Sequence, residues 1–114
     1  MLSYLPHYHA GNFADLHKQL LLTEILTHFK AKNKPFGMID AHAGEGYYLY
    51  SARATQDFRE LSSGLAPFFD HLAFILQNPD VPVLLKSYAA FLKNWNPKGT
   101  LEKIPGSPLL LSHF

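Results

Sequence analysis

From Phe13 onward the apolar positions fall at Phe13, Leu16, Leu20, Ile25, Leu26 and Phe29. That spacing is close to 3.6 residues and predicts an α-helix. Asn12 stands where an N-cap belongs, and Asp15, three residues on, takes a capping-box-like position. The pattern fades near Lys32–Asn33, which makes a helix of about five turns with basic residues in its last turn. Pro35 forbids continuation, and Phe36-Gly-Met-Ile-Asp40 is an apolar run of strand length. It does not alternate, so it suits a strand covered on both faces, as in a parallel sheet. Two further helical patterns follow. Leu65, Phe68, Phe69, Leu72, Ile75 and Leu76 form one, stopped by Asn78-Pro79; Val83, Leu84, Tyr88, Phe91, Leu92 and Trp95 form the other, stopped by Asn96-Pro97. The stretch "GTLEKIPGSP" reads as a turn, a short extended piece at Leu101–Ile104 and another turn. Ser107-Pro108 then resembles an N-cap and first helical position. The helix it announces has barely begun at Phe114, so the chain reads as the N-terminal part of something longer. Residues 1–12 read as an irregular arm broken by Pro6 and Gly11.

Composition narrows the class. At 114 residues the chain is one small domain or a piece of a larger one, and its 47% hydrophobic content excludes intrinsic disorder. No apolar stretch approaches the roughly 20 residues of a membrane-spanning helix. The N-terminus lacks the apolar core of roughly 7–15 residues that a secretory signal needs. With no cysteine there is neither a disulfide framework nor thiolate chemistry, and a cytoplasmic protein is the simplest reading. Lys+Arg 10 against Asp+Glu 9 leaves a net charge of +1, without the basic excess common in nucleic-acid binders. Lys30, Lys32 and Lys34 cluster, but at a helix end where cations complement the dipole.

The chemistry starts at Asp40-Ala-His42-Ala-Gly44-Glu-Gly46. An acid at the carboxyl end of a strand, followed by glycines, is where open α/β sheets bind ligands. The dinucleotide fingerprint is not met: Leu49 stands at its third glycine, and the acid precedes the loop. The Asp-x-x-x-Gly-x-Gly pattern resembles instead the first motif of S-adenosylmethionine-dependent methyltransferases. On these residues alone, a tight turn whose glycines serve positive φ is an equal reading. His7, His9 and His17 raise the question of a metal, but no cysteine accompanies them and the nearest acid lies on the helix, so none is expected.

Taken together, "MLSY…HAGNFADLHK", the loop "DAHAGEG" and the later "PGSP" resemble the RlmJ-like family of bacterial methyltransferases, which make N6-methyladenine in large-subunit (23S) ribosomal RNA. The resemblance covers essentially the whole chain. It implies the N-terminal part of a Rossmann-like class I S-adenosylmethionine-dependent methyltransferase fold of the α/β class, with a helical insertion subdomain. Residues 1–48 would give the arm, first helix, first strand and cofactor loop, residues 49–100 the helical subdomain, and residues 101–114 the return to the core. By position, Tyr4 matches a family tyrosine near the target adenine and Lys18 an active-site lysine. Asp40, His42, Gly44, Gly46 and Ser107 match the cofactor side, and His7, His9 and Asn12 the substrate side. Two residues depart from the pattern. Pro6 displaces a family histidine toward His7, and Gln19 stands where a histidine follows the lysine; Gln19 can still donate and accept hydrogen bonds at the cofactor. The family's Asp-Pro-Pro-Tyr-like motif, which orients the target amine, does not occur in these residues.

The resemblance further implies ribosomal RNA, deproteinised or in early assembly, as partner to a cytoplasmic monomer, and no turnover from these residues alone. The alternative is a non-catalytic nucleic-acid-binding protein linked to uptake or catabolism of external DNA. The aromatic stripe from Leu65 to Trp95 is read as subdomain core, with Trp95 kept open as a base-stacking side chain.

Overall fold

The computed structural model describes residues 9–40, 46–50 and 60–113. The first helix, α1, runs Phe13–Ala31, close to the predicted span. Asn12 Oδ1 accepts the Asp15 amide at 2.8 Å, and Asp15 Oδ2 accepts the Gly11 amide at 3.0 Å. The two side chains thus satisfy amides on either side of the helix start. One face of α1 buries Gln19, Thr23 and Leu26, at the i, i+4, i+7 spacing of a helix stripe.

The expected strand at Phe36–Asp40 is not formed. Residues 34–40 carry no regular structure and Ile39 is 96% exposed, the opposite of a strand covered on both faces. A strand exists only through its partners, and among the described residues nothing lies alongside to pair with it. The sheet that does form is a two-stranded antiparallel ribbon of β1 (Tyr47–Leu49) and β2 (Lys103–Pro105). Its register is Tyr47↔Pro105, Tyr48↔Ile104 and Leu49↔Lys103. The extended piece anticipated at Leu101–Ile104 is therefore real but shifted toward its C-terminus. Its partner, β1, went unread because "YYL" is too short to show a period.

The pattern from Leu65 to Leu76 gives two helices, α2 (Leu65–Asp70) and α3 (Leu72–Gln77), instead of one. At the break, the His71 imidazole donates from Nδ1 to the Pro67 carbonyl at 2.8 Å, while the His71 amide turns to Phe68 O at 3.1 Å. The side chain has taken the acceptor that an unbroken helix would give to that amide. Helix α4 (Val83–Trp95) matches the sequence reading, and α5 covers Ser107–His113.

Helix α1 packs on α4 and α5, and α3 packs on α4. Tyr88, Phe91 and Leu92 from α4 meet Leu61, Leu65, Ile104 and Leu110 in the core. The ribbon is tied to α4 by Asn96, which is 2% exposed. Its Oδ1 accepts the amides of Glu102 and Lys103, both at 2.8 Å, and its Nδ2 donates to Leu92 O at 3.0 Å and Lys103 O at 3.2 Å. The residue that reads as a helix stop thus also fixes where β2 begins.

Candidate cofactor and substrate site

Three consecutive residues, Pro105, Gly106 and Ser107, each hold one of the residues singled out for the cofactor side. Gln19 Nε2 donates to Pro105 O at 2.7 Å. Gly106 N donates to Gly46 O at 2.9 Å, fastening the end of the glycine loop. The Ser107 hydroxyl donates to Asp40 Oδ2. Positions 19, 40, 46 and 107, far apart in sequence, converge on one turn between β2 and α5.

Burial on α1 explains the first contact. Gln19 is 8% exposed, and its amide oxygen accepts a hydrogen bond from Tyr88 OH. A buried amide must find partners at both ends, and here it does. Burial pushes the Tyr88 phenol far above its ordinary range, with the Asp15 carboxylate adding to the effect. Tyr88 therefore stays neutral and remains a donor. Ser107 was expected as an N-cap. It is instead the first residue of α5, and its hydroxyl is turned to Asp40.

His9 and Asn12, which the resemblance puts on the substrate side, are held by a residue the sequence did not flag. Glu60 Oε1 accepts from His9 Nδ1 at 2.8 Å and Glu60 Oε2 accepts from Asn12 Nδ2 at 2.7 Å. Donation from Asn12 first, and from His9 second, keeps the Glu60 carboxyl below its ordinary value of 4.5. The arm is seated here by close backbone approach. Gly11 has φ +74, and its carbonyl accepts the Leu65 amide at 2.7 Å. A Cβ on Gly64 would stand 2.4 Å from the Asn12 carbonyl carbon. Gly64 is the residue that lets the His9–Asn12 turn lie against the start of α2.

Lys18 is exposed on α1, immediately before Gln19, so the anchored amide fixes the backbone from which Lys18 projects. His17 is exposed as well. Tyr4, His7, His42 and Gly44 lie outside the described residues. Trp95 is half-buried against the core, with Lys103 Nζ 5.4 Å from its ring centroid and 5.2 Å from that of Tyr47. An open groove of about 710 Å³ lies elsewhere, lined by residues including Leu49, Phe69, Leu101 and Glu102, and contains none of the site residues. Among the described residues no three His, Asp or Glu side chains form a group fit for a metal, and no helix is long and apolar enough to cross a membrane. The roles of Glu60 and of the Tyr88 hydroxyl escaped sequence reasoning because an acid in "DFREL" and a tyrosine in an apolar stripe carry no local signal.

No family model matches the chain. It is 37% identical over 110 residues to the Ribosomal RNA large subunit methyltransferase J of Escherichia coli (strain K12), covering 96% of this chain and 37% of that protein. It is 34% identical over 115 residues to the protein of the same name from Haemophilus influenzae (strain ATCC 51907 / DSM 11121 / KW20 / Rd), covering 100% of this chain and 38% of the relative. The crystal structure of protein LPL1258 from Legionella pneumophila str. Philadelphia 1 matches with a TM-score of 0.74 at 31% identity, over 92% of this chain and 36% of the other. The chain thus spans rather more than a third of the length of the relatives it matches.

Proposed function

We propose, from the premise that the chain belongs over its own length to the RlmJ-like family, that it carries the N-terminal share of an S-adenosylmethionine-dependent methyltransferase. The target is adenine N6 in large-subunit (23S) ribosomal RNA. The observation that carries this reading is the convergence on residues 105–107, where Asp40, Gly46 and Gln19 are each held by one hydrogen bond. A carboxylate beside a hydroxyl, next to a glycine-lined turn, is a donor and acceptor set that fits the charged amino-acid end of the cofactor. Asp40, His42, Gly44, Gly46 and Ser107 would hold it, with Gln19 fixing the turn from behind or reaching the cofactor with its remaining hydrogen-bonding capacity. When bound, the cofactor supplies an electrophilic methyl group.

The protein's own part is to position the acceptor. Tyr4 packs the target adenine once that base has left its stack. Lys18 works at the target, while His7, His9 and Asn12 bound the substrate side, the last two oriented by Glu60. An exocyclic amine is a weak nucleophile and must be aimed, which is the task of the Asp-Pro-Pro-Tyr-like motif. That motif is missing from these 114 residues, so the chain alone does not turn over. The family-length protein has a Rossmann-like class I core with the helical subdomain inserted, and acts as a cytoplasmic monomer on deproteinised or early-assembly RNA.

Calorimetry with S-adenosylmethionine and with ribosomal RNA tests the reading. Cofactor binding that weakens in Ser107→Ala supports it. RNA or DNA binding with no cofactor binding would favour a non-catalytic nucleic-acid-binding protein of the kind linked to uptake of external DNA.

A further inference from the structure

Helix α4 holds β2 at both ends. Asn96 fixes the start of the strand through the Glu102 and Lys103 amides. At the far end the hold passes through a third element. Tyr88 OH donates to Gln19 Oε1, and Gln19 Nε2 donates at 2.7 Å to the carbonyl of Pro105, the last residue of β2. Both ends of the buried Gln19 amide are thus engaged. The Gln19 backbone is held as well, since the fully buried Thr23 donates from Oγ1 to Gln19 O at 2.8 Å. The Tyr88 ring is completely buried, edge-on to Phe68 at 5.5 Å and tilted against Phe91 at 5.7 Å. Packing of this density keeps the hydroxyl in one place. An amide does not titrate and the buried phenol stays neutral, so the two donors are unchanged across the neutral pH range.

We propose that Tyr88 is a positioning residue of the candidate site, acting through Gln19 to hold the turn at residues 105–107. What the turn does rests on the methyltransferase reading; that the link holds it does not. In this turn Gly106 N meets Gly46 O and the Ser107 hydroxyl meets Asp40. Gln19 directly follows Lys18 on α1, so one line of hydrogen bonds sets the cofactor turn against the helix that carries the target-side lysine. Gln19 serves as the link between α4 and the turn, and leaves the cofactor to Asp40, Gly46 and Ser107. A misplacement of about 1 Å can cost about a hundredfold in rate. A hydroxyl that fixes the turn therefore contributes to the reaction without touching a reacting atom.

Tyr88→Phe keeps the ring and removes only the hydroxyl. Ile75→Val takes one methyl group from the buried face of α3 and lowers stability without touching the turn. In amide hydrogen exchange of the 114-residue chain, Tyr88→Phe speeds Gly106 by about tenfold or more beyond Leu26 in α1, whereas Ile75→Val speeds the two alike. In calorimetry, Tyr88→Phe raises the S-adenosylmethionine dissociation constant by about tenfold, and Ile75→Val leaves it unchanged. Tyr88→Phe combined with Gln19→Met binds no more weakly than Gln19→Met alone, because both act through one link. An unmodified chain that binds no cofactor would count against the methyltransferase reading, and selective exchange at Gly106 would still uphold the link. Gly106 exchange that only follows Leu26 in Tyr88→Phe, an equal loss of affinity in Ile75→Val, or additive losses in the double variant would each overturn the proposal.

Discussion

Tyr88→Phe removes one proton donor and nothing else. It leaves the Gln19 amide oxygen buried without that partner, which costs about 1–3 kcal/mol. Chemical denaturation reads the loss as a lower midpoint at unchanged slope. Gly64→Ala places a Cβ against the backbone of Asn12, and overpacking of this kind costs about 1–3 kcal/mol. Because the clash lies where the arm is seated, the His9 and Asn12 resonances should shift more than those of α4. Glu60 makes a pH prediction with a defined sign. Its folded value lies below the ordinary 4.5, so its contribution is complete above that pH and is lost as pH falls through the folded value. Glu60→Gln should therefore flatten the acid side of the stability curve and leave its shape unchanged at neutral pH, as thermal melts across a pH series would reveal.

The elements that were legible in the sequence are those with many periods or a strong stop. The first helix and its cap at Asn12 follow from 3.6-residue spacing and one side-chain acceptor. Helix α4 likewise follows from its stripe and the Asn96-Pro97 stop. What the sequence could not reveal depends on contacts at long range. The split at His71 turns on which donor the Pro67 carbonyl accepts, and β1 exists because Ile104 and its neighbours lie beside it. The apolar run at Phe36–Asp40 reads as a buried strand, since its composition reports what the segment needs and not whether a partner stands beside it. The candidate site divides in the same way. Asp40, Gly46 and Ser107 were singled out by motif and resemblance, and the fold brings them together, whereas Glu60 carries no signal without the fold. Asn96 carries an element-scale prediction: Asn96→Ala frees Leu92 O and the start of β2. It should cost about 2–4 kcal/mol, counting each net hydrogen bond near 1 kcal/mol. Faster amide exchange at Glu102 and Lys103 than in α1 would locate the loss in the ribbon.

For the whole molecule, the methyltransferase reading proposed above draws on the convergence of residues 19, 40 and 46 on the turn at residues 105–107. The chain spans 37% of the Escherichia coli relative, so the two can be joined in one polypeptide. The most direct measurement replaces the matching N-terminal stretch of that relative with residues 1–114 and follows radiolabelled methyl transfer from S-adenosylmethionine to deproteinised 23S ribosomal RNA. The account predicts transfer to adenine N6 by the chimera, at least about a hundredfold less after Lys18→Ala, and none from residues 1–114 alone. A folded chimera without transfer, or turnover by the 114-residue chain itself, would contradict it.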